Sequence, residues 1–434
     1  MEWQQPITSI NETLIKNHLA DWMALTDRLN RRGLDCDDLA DKVASFAVAV
    51  PSWGVSTGGT RFGRFPGPGE PRNLMEKLED AAALHALTGA APRVSLHIPW
   101  DRTDDPAAVR QKAESLGIGF DAVNSNTFED QPNQAESYKF GSLSATSAAV
   151  RRQAIEHNIE VIRVGQELGS KALSIWIGDG GSYPGQVDFR KSFDRTLDSM
   201  RAIYAELPSD WVLWTEHKPF EPAFYSTVVN DWGTSYLLAS ALGERASCLG
   251  ERASCLVDLG HHLPNTNIEQ VVARLISVGK LGGFHFNDSK YADDDLTAGS
   301  IKPYQLFLVF NELVDAYDEP VPGFQPSYMI DQSHNIKDPL EDLLQSILNI
   351  QTAYAKAILI DRAALQNYQQ ENDAVMAEAT LKEAFETDVR PLVAEARRRS
   401  CGALDPLATF RQSGYRRTMA SERPQTRQTS GAFA

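Results

Sequence analysis

The feature that most restricts how this 434-residue chain can fold is a recurrence along its middle two thirds. Short apolar or β-branched runs return there, each followed by turn residues and then by an amphipathic stretch of about 10 to 20 residues. The runs are Phe46–Pro51, Arg93–Pro99, Gly119–Asn124, Ala172–Ile177, Trp211–Glu216, Cys255–Leu259, Gly283–Asn287 and Ser327–Asp331. Eight strand–helix units in about 300 residues, with no second set of strands, fit a closed (β/α)8 barrel better than a doubly wound sheet.

The rest of the chain reads as additions to that barrel. Leu14, Leu19, Trp22, Leu25 and Leu29 recur at helical spacing, so residues 1–44 form an N-terminal helical segment ahead of a barrel spanning 45–350. Leu343, Ile347 and Ile350, then Ala355, Ile358 and Leu365, continue as long helices, which makes 351–410 a helical extension. From Arg411 to Ala434 the composition turns to Ser, Thr, Gln and Arg, and a mobile tail is expected. A direct repeat, GERASCL, occupies Gly243–Leu249 and Gly250–Leu256 just before the sixth run. Seven residues are close to two helical turns, about 10 Å of rise. The repeat reads as a duplication tolerated in a surface connection at the end of the strand away from the active face.

Composition narrows the partners. Lys and Arg number 42 against 58 Asp and Glu, a net charge of -16 without a concentrated basic face, which argues against a nucleic-acid partner. Cys36, Cys248, Cys255 and Cys401 are too scattered for a disulfide framework or CxxC zinc sites. The N-terminus lacks a basic start followed by an apolar stretch, and no apolar run is long enough to span a bilayer, so a cytoplasmic protein without membrane contact is expected.

In such a barrel, function collects at the C-terminal ends of the strands. Strand two closes in SLHIPWD with His97, strand five in WTEHK with Glu216, His217 and Lys218, and strand six in VDLGHH with Asp258, His261 and His262. Strand seven closes in FHFND with His285, and strand eight in MIDQSHN with Asp331 and His334. Six of the nine histidines fall in these five segments, so the strand ends are the place to seek chemistry. Carboxylates and imidazoles crowded inward there would repel one another or be badly desolvated without a cation.

Glu216, Asp258, His285 and Asp331 come from four successive strands, and three oxygen donors with one imidazole suit Mn²⁺, Co²⁺ or Mg²⁺. His261 with Asp293 and Asp295, alternate members of the run Asp293-Asp294-Asp295, could hold a second, more exposed ion. Taken alone, the acidic run would read as a solvated loop or a helix cap. Lys218, two residues past Glu216, points to the same side. Trp53, Trp100, Phe128 and Trp176 are either core aromatics or an apolar wall around the site, and His217, His262 and His334 read as supporting residues. The Gly-rich stretch after the first strand lacks a phosphate-binding pattern. It is long enough to reach a neighbouring subunit through Arg61, Phe62 and Phe65.

The blocks PSWGVSTGGTRFGRFPG, VSLHIPWD, FDAVNSNTF, WIGDG, EHKPFEPAFYSTV, LVDLGHHLPNTNIE, GGFHFNDSKYADDDL and MIDQSHN closely resemble the broad-specificity bacterial L-rhamnose isomerases, within the xylose-isomerase-like barrels. The resemblance covers about Phe46 to Tyr415. It implies an enzyme interconverting L-rhamnose and L-rhamnulose, and also D-allose and D-psicose, working as a homotetramer. It also implies two divalent ions per subunit, Mn²⁺ foremost, with Co²⁺, Mg²⁺ and Zn²⁺ as alternatives. Glu216, Asp258, His285 and Asp331 would hold the structural ion, and His261, Asp293 and Asp295 the catalytic one. His97, Lys218, His261 and Asp331 would be catalytic, and Trp53, Phe62, Phe128, Trp176 and Glu216 would contact the sugar. The nearest rival is a ketose 3-epimerase on the same fold, which uses one metal between two glutamates. Asp331 in place of a Glu, together with the acidic run, argues against it.

Overall fold

A computed structural model of the chain describes residues 2–56, 65–221, 226–243, 252–321, 324–333 and 336–424. Helices α1 (Gln4–Asn30) and α2 (Cys36–Ser45) precede β1 (Val50–Pro51). Strand and helix then alternate through α3 (Leu74–Thr88), β2 (Arg93–Ile98), α4 (Pro106–Ser115), β3 (Gly119–Ser125), α5 (Ala148–Leu168), β4 (Ala172–Trp176), α6 (Phe189–Ala205) and β5 (Val212–Glu216). They continue through α7 (Trp232–Gly243), β6 (Ala253–Asp258), α8 (Ile268–Ser277), β7 (Leu281–Phe286), α9 (Pro303–Asp318), β8 (Ser327–Ile330) and α10 (Pro339–Ala357). The extension consists of α11 (Arg362–Gln370), α12 (Ala374–Glu386), α13 (Arg390–Arg399), α14 (Pro406–Ser413) and α15 (Tyr415–Glu422). Helix starts follow the sequence: Asn73, Ser147, Asp188, Asn267 and Asp338 each accept a first-turn amide.

The eight strands pair in parallel in chain order, and the seam between β8 and β1 is closed by Ala49. Its amide donates to Tyr328 O at 2.7 Å and its carbonyl accepts from Ile330 N at 3.0 Å, so the sheet is a (β/α)8 barrel. β1 is shorter than the expected Phe46–Pro51, with Ala49 just before it pairing with β8 and Val50–Pro51 with β2.

The end of the barrel away from the site is filled. Trp214 packs inside with Ala122, Ala172 and Leu256, and Gly282 makes room for it, since a Cβ there would lie 2.7 Å from the indole Cδ1. Beside the strand starts, Asp121 accepts from Ser327 Oγ at 2.9 Å and lies 3.3 Å from Arg93 Nε. The larger apolar core lies between strands and helices, where Leu96, Ile98, Leu173, Val257 and Phe284 are almost fully buried.

Where a mobile tail is expected from Arg411, the chain continues through α14 and α15 as far as residue 424. Tyr415 is buried and donates its hydroxyl to Asp80 Oδ1 at 2.6 Å, and Arg423 donates to the same oxygen at 2.8 Å. Arg416 binds Asp338 at 2.6 and 2.8 Å. Tyr415 and Met419 of this segment are buried, and Arg416 and Arg423 find acids 78 and 343 positions away, which average composition does not reveal. Most of the GERASCL repeat lies outside the described residues; its first Gly ends α7 and its last residues enter β6. Among the described residues no helix is long and apolar enough to cross a membrane.

Candidate functional site

Glu216 ends β5, Asp258 ends β6, His285 lies one residue from the end of β7, and Asp331 follows β8. Their ligand atoms lie within 4.8 Å of one another. His285 Nδ1 is 3.4 Å from Glu216 Oε1, 3.6 Å from Asp258 Oδ2 and 3.5 Å from Asp331 Oδ2. These near-equal distances exceed ordinary hydrogen bonds. They match neighbouring ligands, about 3 to 3.5 Å apart, around one ion at roughly 2.1–2.3 Å. Among the described residues, Asp258 Oδ2 and His285 Nδ1 are buried without a hydrogen-bond partner. The opposite oxygens are anchored: Asp258 Oδ1 accepts from Asn287 Nδ2 (2.9 Å) and Gly260 N (2.7 Å), and Asp331 Oδ1 from Trp53 Nε1 (2.9 Å). Each of these two aspartates thus has one oxygen fixed and the other turned to the centre, the arrangement that outer hydrogen bonds impose on metal ligands.

A second group adjoins the first. Asp258, His261 and Asp293 bring ligand atoms together, with His261 Nε2 3.1 Å from Asp293 Oδ2 and His261 Nδ1 3.0 Å from Glu216 Oε1. Alternation along the acidic run holds: Asp293 and Asp295 are buried, while Asp294 accepts the amides of Lys290, Tyr291 and Ala292. Asp295 lines the same pocket and accepts from Ser333 Oγ at 3.2 Å, while Asp258, at the end of β6, also stands beside His261 and Asp293. Lys218 is buried with Nζ 2.5 Å from Asp293 Oδ2, 2.9 Å from Glu221 Oε2 and 4.9 Å over the Trp176 ring.

The charges at this site call for a cation. Burial pushes the His261 and His285 imidazoles down, yet the surrounding carboxylates, Asp258 and Asp293 for His261 and Glu216 for His285, outweigh it and hold both well above the ordinary value. Burial also raises Asp258, and the like charges of Asp293 and Asp331 add to that. A divalent ion supplies the positive charge these acids otherwise draw as protons. The oxygen-rich donor set with imidazole fits a hard or borderline divalent ion.

The groups open into a pocket of about 160 Å³, suited to a small polar molecule. Trp53, Trp100, Phe128 and Trp176 line it as an aromatic wall. His97 stacks on Trp100 at 3.8 Å and meets Trp53 edge-on at 5.5 Å. Burial pushes His97 down to about 4, so it is neutral at physiological pH. His217 and His262, 4.8 Å apart, are also pushed down by burial, His262 to about 3, and neither lines the pocket. Phe62, Arg61 and His334 lie outside the described residues, and Phe65 is exposed.

Sequence reasoning missed several contributors. Asn124, Ser125, Ser174, Glu129 and Ser333 line the pocket. Glu129 accepts from Trp100 Nε1 (2.9 Å) and Asn126 Nδ2 (2.8 Å), fixing the aromatic wall. Asp101 accepts the His97 amide (2.9 Å) and Lys77 Nζ (2.6 Å), holding the end of β2. The Asn-Ser pair closing β3 and the acid four residues after His97 were the available signals.

No family model matches the chain. It is 61% identical over 404 residues, 93% of this chain and 92% of the relative, to a protein of Rhizobium meliloti named "Probable sugar isomerase". It is 59% identical over 413 residues, 95% and 94% of the two chains, to one of the same description from Mesorhizobium japonicum. Xylose isomerase of Thermus thermophilus is 24% identical over 247 residues, 52% of this chain and 60% of the relative. Among solved structures, an L-ribulose 3-epimerase superposes with a TM-score of 0.54 at 14% identity, covering 73% of this chain and 98% of its own. A 3-keto-D-glucoside 4-epimerase from E. coli gives 0.51 at 12% identity, covering 71% and 100%. At these identities the two structures share the fold.

Proposed function

Because the chain belongs to the family of its Rhizobium and Mesorhizobium sugar isomerase relatives, we propose that it is a divalent-metal-dependent aldose–ketose isomerase acting on L-rhamnose and L-rhamnulose, and also on D-allose and D-psicose. The observation that carries this reading is the set of three carboxylates spaced evenly around His285 Nδ1, with a second carboxylate–imidazole group beside it, at the floor of one small pocket. Glu216, Asp258, His285 and Asp331 would hold one ion, and His261, Asp293 and Asp258, with Asp295 nearby, the other. When bound, such ions orient the oxygens on C1 and C2 of the open-chain sugar and make a water more acidic. Mn²⁺ is the expected ion.

The chain's own residues have separable tasks. Lys218, gripped by Asp293 and Glu221, donates to O1 and offsets the negative charge that develops there. His97 is neutral, so it can donate from one nitrogen and accept at the other, which suits a sugar hydroxyl during ring opening. Trp53, Phe128 and Trp176 exclude water, while Asn124, Ser125 and Ser174 offer polar partners to the sugar hydroxyls.

L-Rhamnose and L-rhamnulose, each incubated with the protein and Mn²⁺, test this: interconversion of the two is expected, and a C3-inverted ketose as sole product from L-rhamnulose, with L-rhamnose left unchanged, would point to an epimerase. With C2-deuterated substrate in ordinary water, label retained at C1 marks hydride transfer, and label washed out marks proton transfer through an enediol. A cytoplasmic homotetramer is part of the proposal. Phe65, Phe140, Tyr291 and Ile336 stand exposed on the loops around the barrel mouth, where assembly would cover them. A sedimenting species of single-chain mass would contradict it.

A further inference from the structure

Outside the barrel, α1, α10, α13 and the segment leading into α14 line an open surface cavity of about 810 Å³, which shares no residue with the pocket at the strand ends. Arg397 lines it and is only 7% exposed. Its Nε and Nη2 donate to the carbonyls of Ala403 and Leu404 at 3.0 Å each, and Nη1 makes no hydrogen bond among the described residues. The adjacent acid is already taken. Glu395 is bound by His18 at 2.9 Å, by Arg398 at 2.7 Å and by Arg399 at 3.1 Å, and Arg397 has no ion pair among the described residues. Burial pushes the Arg397 guanidinium down to about 10, and Asp405 offsets only part of that.

The acids at the rim are committed or solvated. Asp388 is forked by Arg390 at 2.9 and 2.6 Å, Asp405 is exposed and caps α14 at Ala408 N, and Asp21 is exposed. Leu25, Leu348 and Val393 add apolar surface. A buried cation is costly unless an anion reaches it. A chain of net charge -16 repels anions elsewhere, so an anion that binds needs a dedicated cation.

We propose that this cavity binds a small organic anion, a carboxylate or phosphate head on a partly apolar body, with Arg397 as its charged anchor and Arg28 at the rim. Titration calorimetry of the full chain with hexanoate and with phenyl phosphate tests it, with hexanol as the neutral control and inorganic phosphate as the bare ion. The expected result is saturable binding of at least one organic anion, weakened at least about tenfold by Arg397→Gln, as for loss of a charge-assisted hydrogen bond. Hexanol should not bind. The tighter of the two anions identifies the head group.

Arg28 is exposed, so Arg28→Glu keeps the fold and should weaken the same binding by about two- to fivefold through charge repulsion. It carries the test if Arg397→Gln does not fold. Equal binding to wild type and variants, equal binding of hexanol, or no saturation by any anion would overturn the proposal. So would an assembly that dissociates in Arg397→Gln without any anion binding, because a second copy's carboxylate would then be the counter-ion.

Discussion

Asp80 and Asp258 are both completely buried, and burial pushes both carboxyls up, yet their surroundings differ in kind. Beneath α15, Asp80 Oδ1 takes the Arg423 guanidinium at 2.8 Å and the Tyr415 hydroxyl at 2.6 Å. Among the described residues Oδ2 of both aspartates lacks a hydrogen-bond partner, but at the barrel mouth the donors on Asp258 Oδ1 are the neutral Asn287 side chain and the Gly260 amide, the His285 imidazole stands 3.6 Å from Oδ2, and further acids crowd around it. The first arrangement is closed by the chain's own cation and ties the C-terminal helices to α3. The second is left open for a cation from outside and gives up local stability for function. Buried charge alone therefore does not mark a site; buried charge that the chain leaves unneutralised does.

Substitution should separate the two clusters. Asp258→Asn is expected to lower turnover of L-rhamnose by about 10²–10³-fold or more, in the range seen when one transition-state-stabilising group is lost. Its melting temperature without metal should hold or rise, because a like charge is gone. Arg423→Met should do the reverse: turnover per folded molecule stays near wild type, while urea unfolding shows a loss of about 3–5 kcal/mol from the stranded Asp80. If both variants lost activity and stability together, the distinction would fail.

Metal addition sharpens the comparison. At about a hundredfold excess over its Kd, Mn²⁺ should stabilise chelated wild type by about 2.7 kcal/mol per site. The gain should persist in Arg423→Met and shrink in Asp258→Asn, as read by melting with and without EDTA.

The smallest effect concerns a closed cluster again. Burial raises the Glu395 carboxyl, but hydrogen bonds from Arg398, His18 and Arg399 outweigh it and hold it down to about 2, against an ordinary 4.5. Glu395 thus adds stability above about pH 4.5, and this is lost as pH falls toward 2. Glu395→Gln should flatten the acid limb of the urea midpoint between those values, with little change in turnover.

The open cluster was largely legible in the sequence and the closed one was not. Glu216, Asp258, His285 and Asp331 each close a strand of a regular barrel, so local period and position were enough to bring them together. Alternation alone turned Asp293 and Asp295 inward and Asp294 outward. What sequence did not announce depends on three-dimensional placement: Asp258 also stands beside His261 and Asp293, and Tyr415 reaches Asp80 across 335 positions. Glu129 and Asp101 act by holding other side chains and strand ends, a role that no motif spacing announces.

The most direct test of the central claim is a titration of chelated protein with Mn²⁺, followed by formation of L-rhamnulose. Turnover should be absent without the ion and should rise to a plateau near two ions per chain. Full turnover in the metal-free protein, or none at any ion concentration, would contradict the assignment of the unneutralised strand-end cluster as a two-ion sugar isomerase centre.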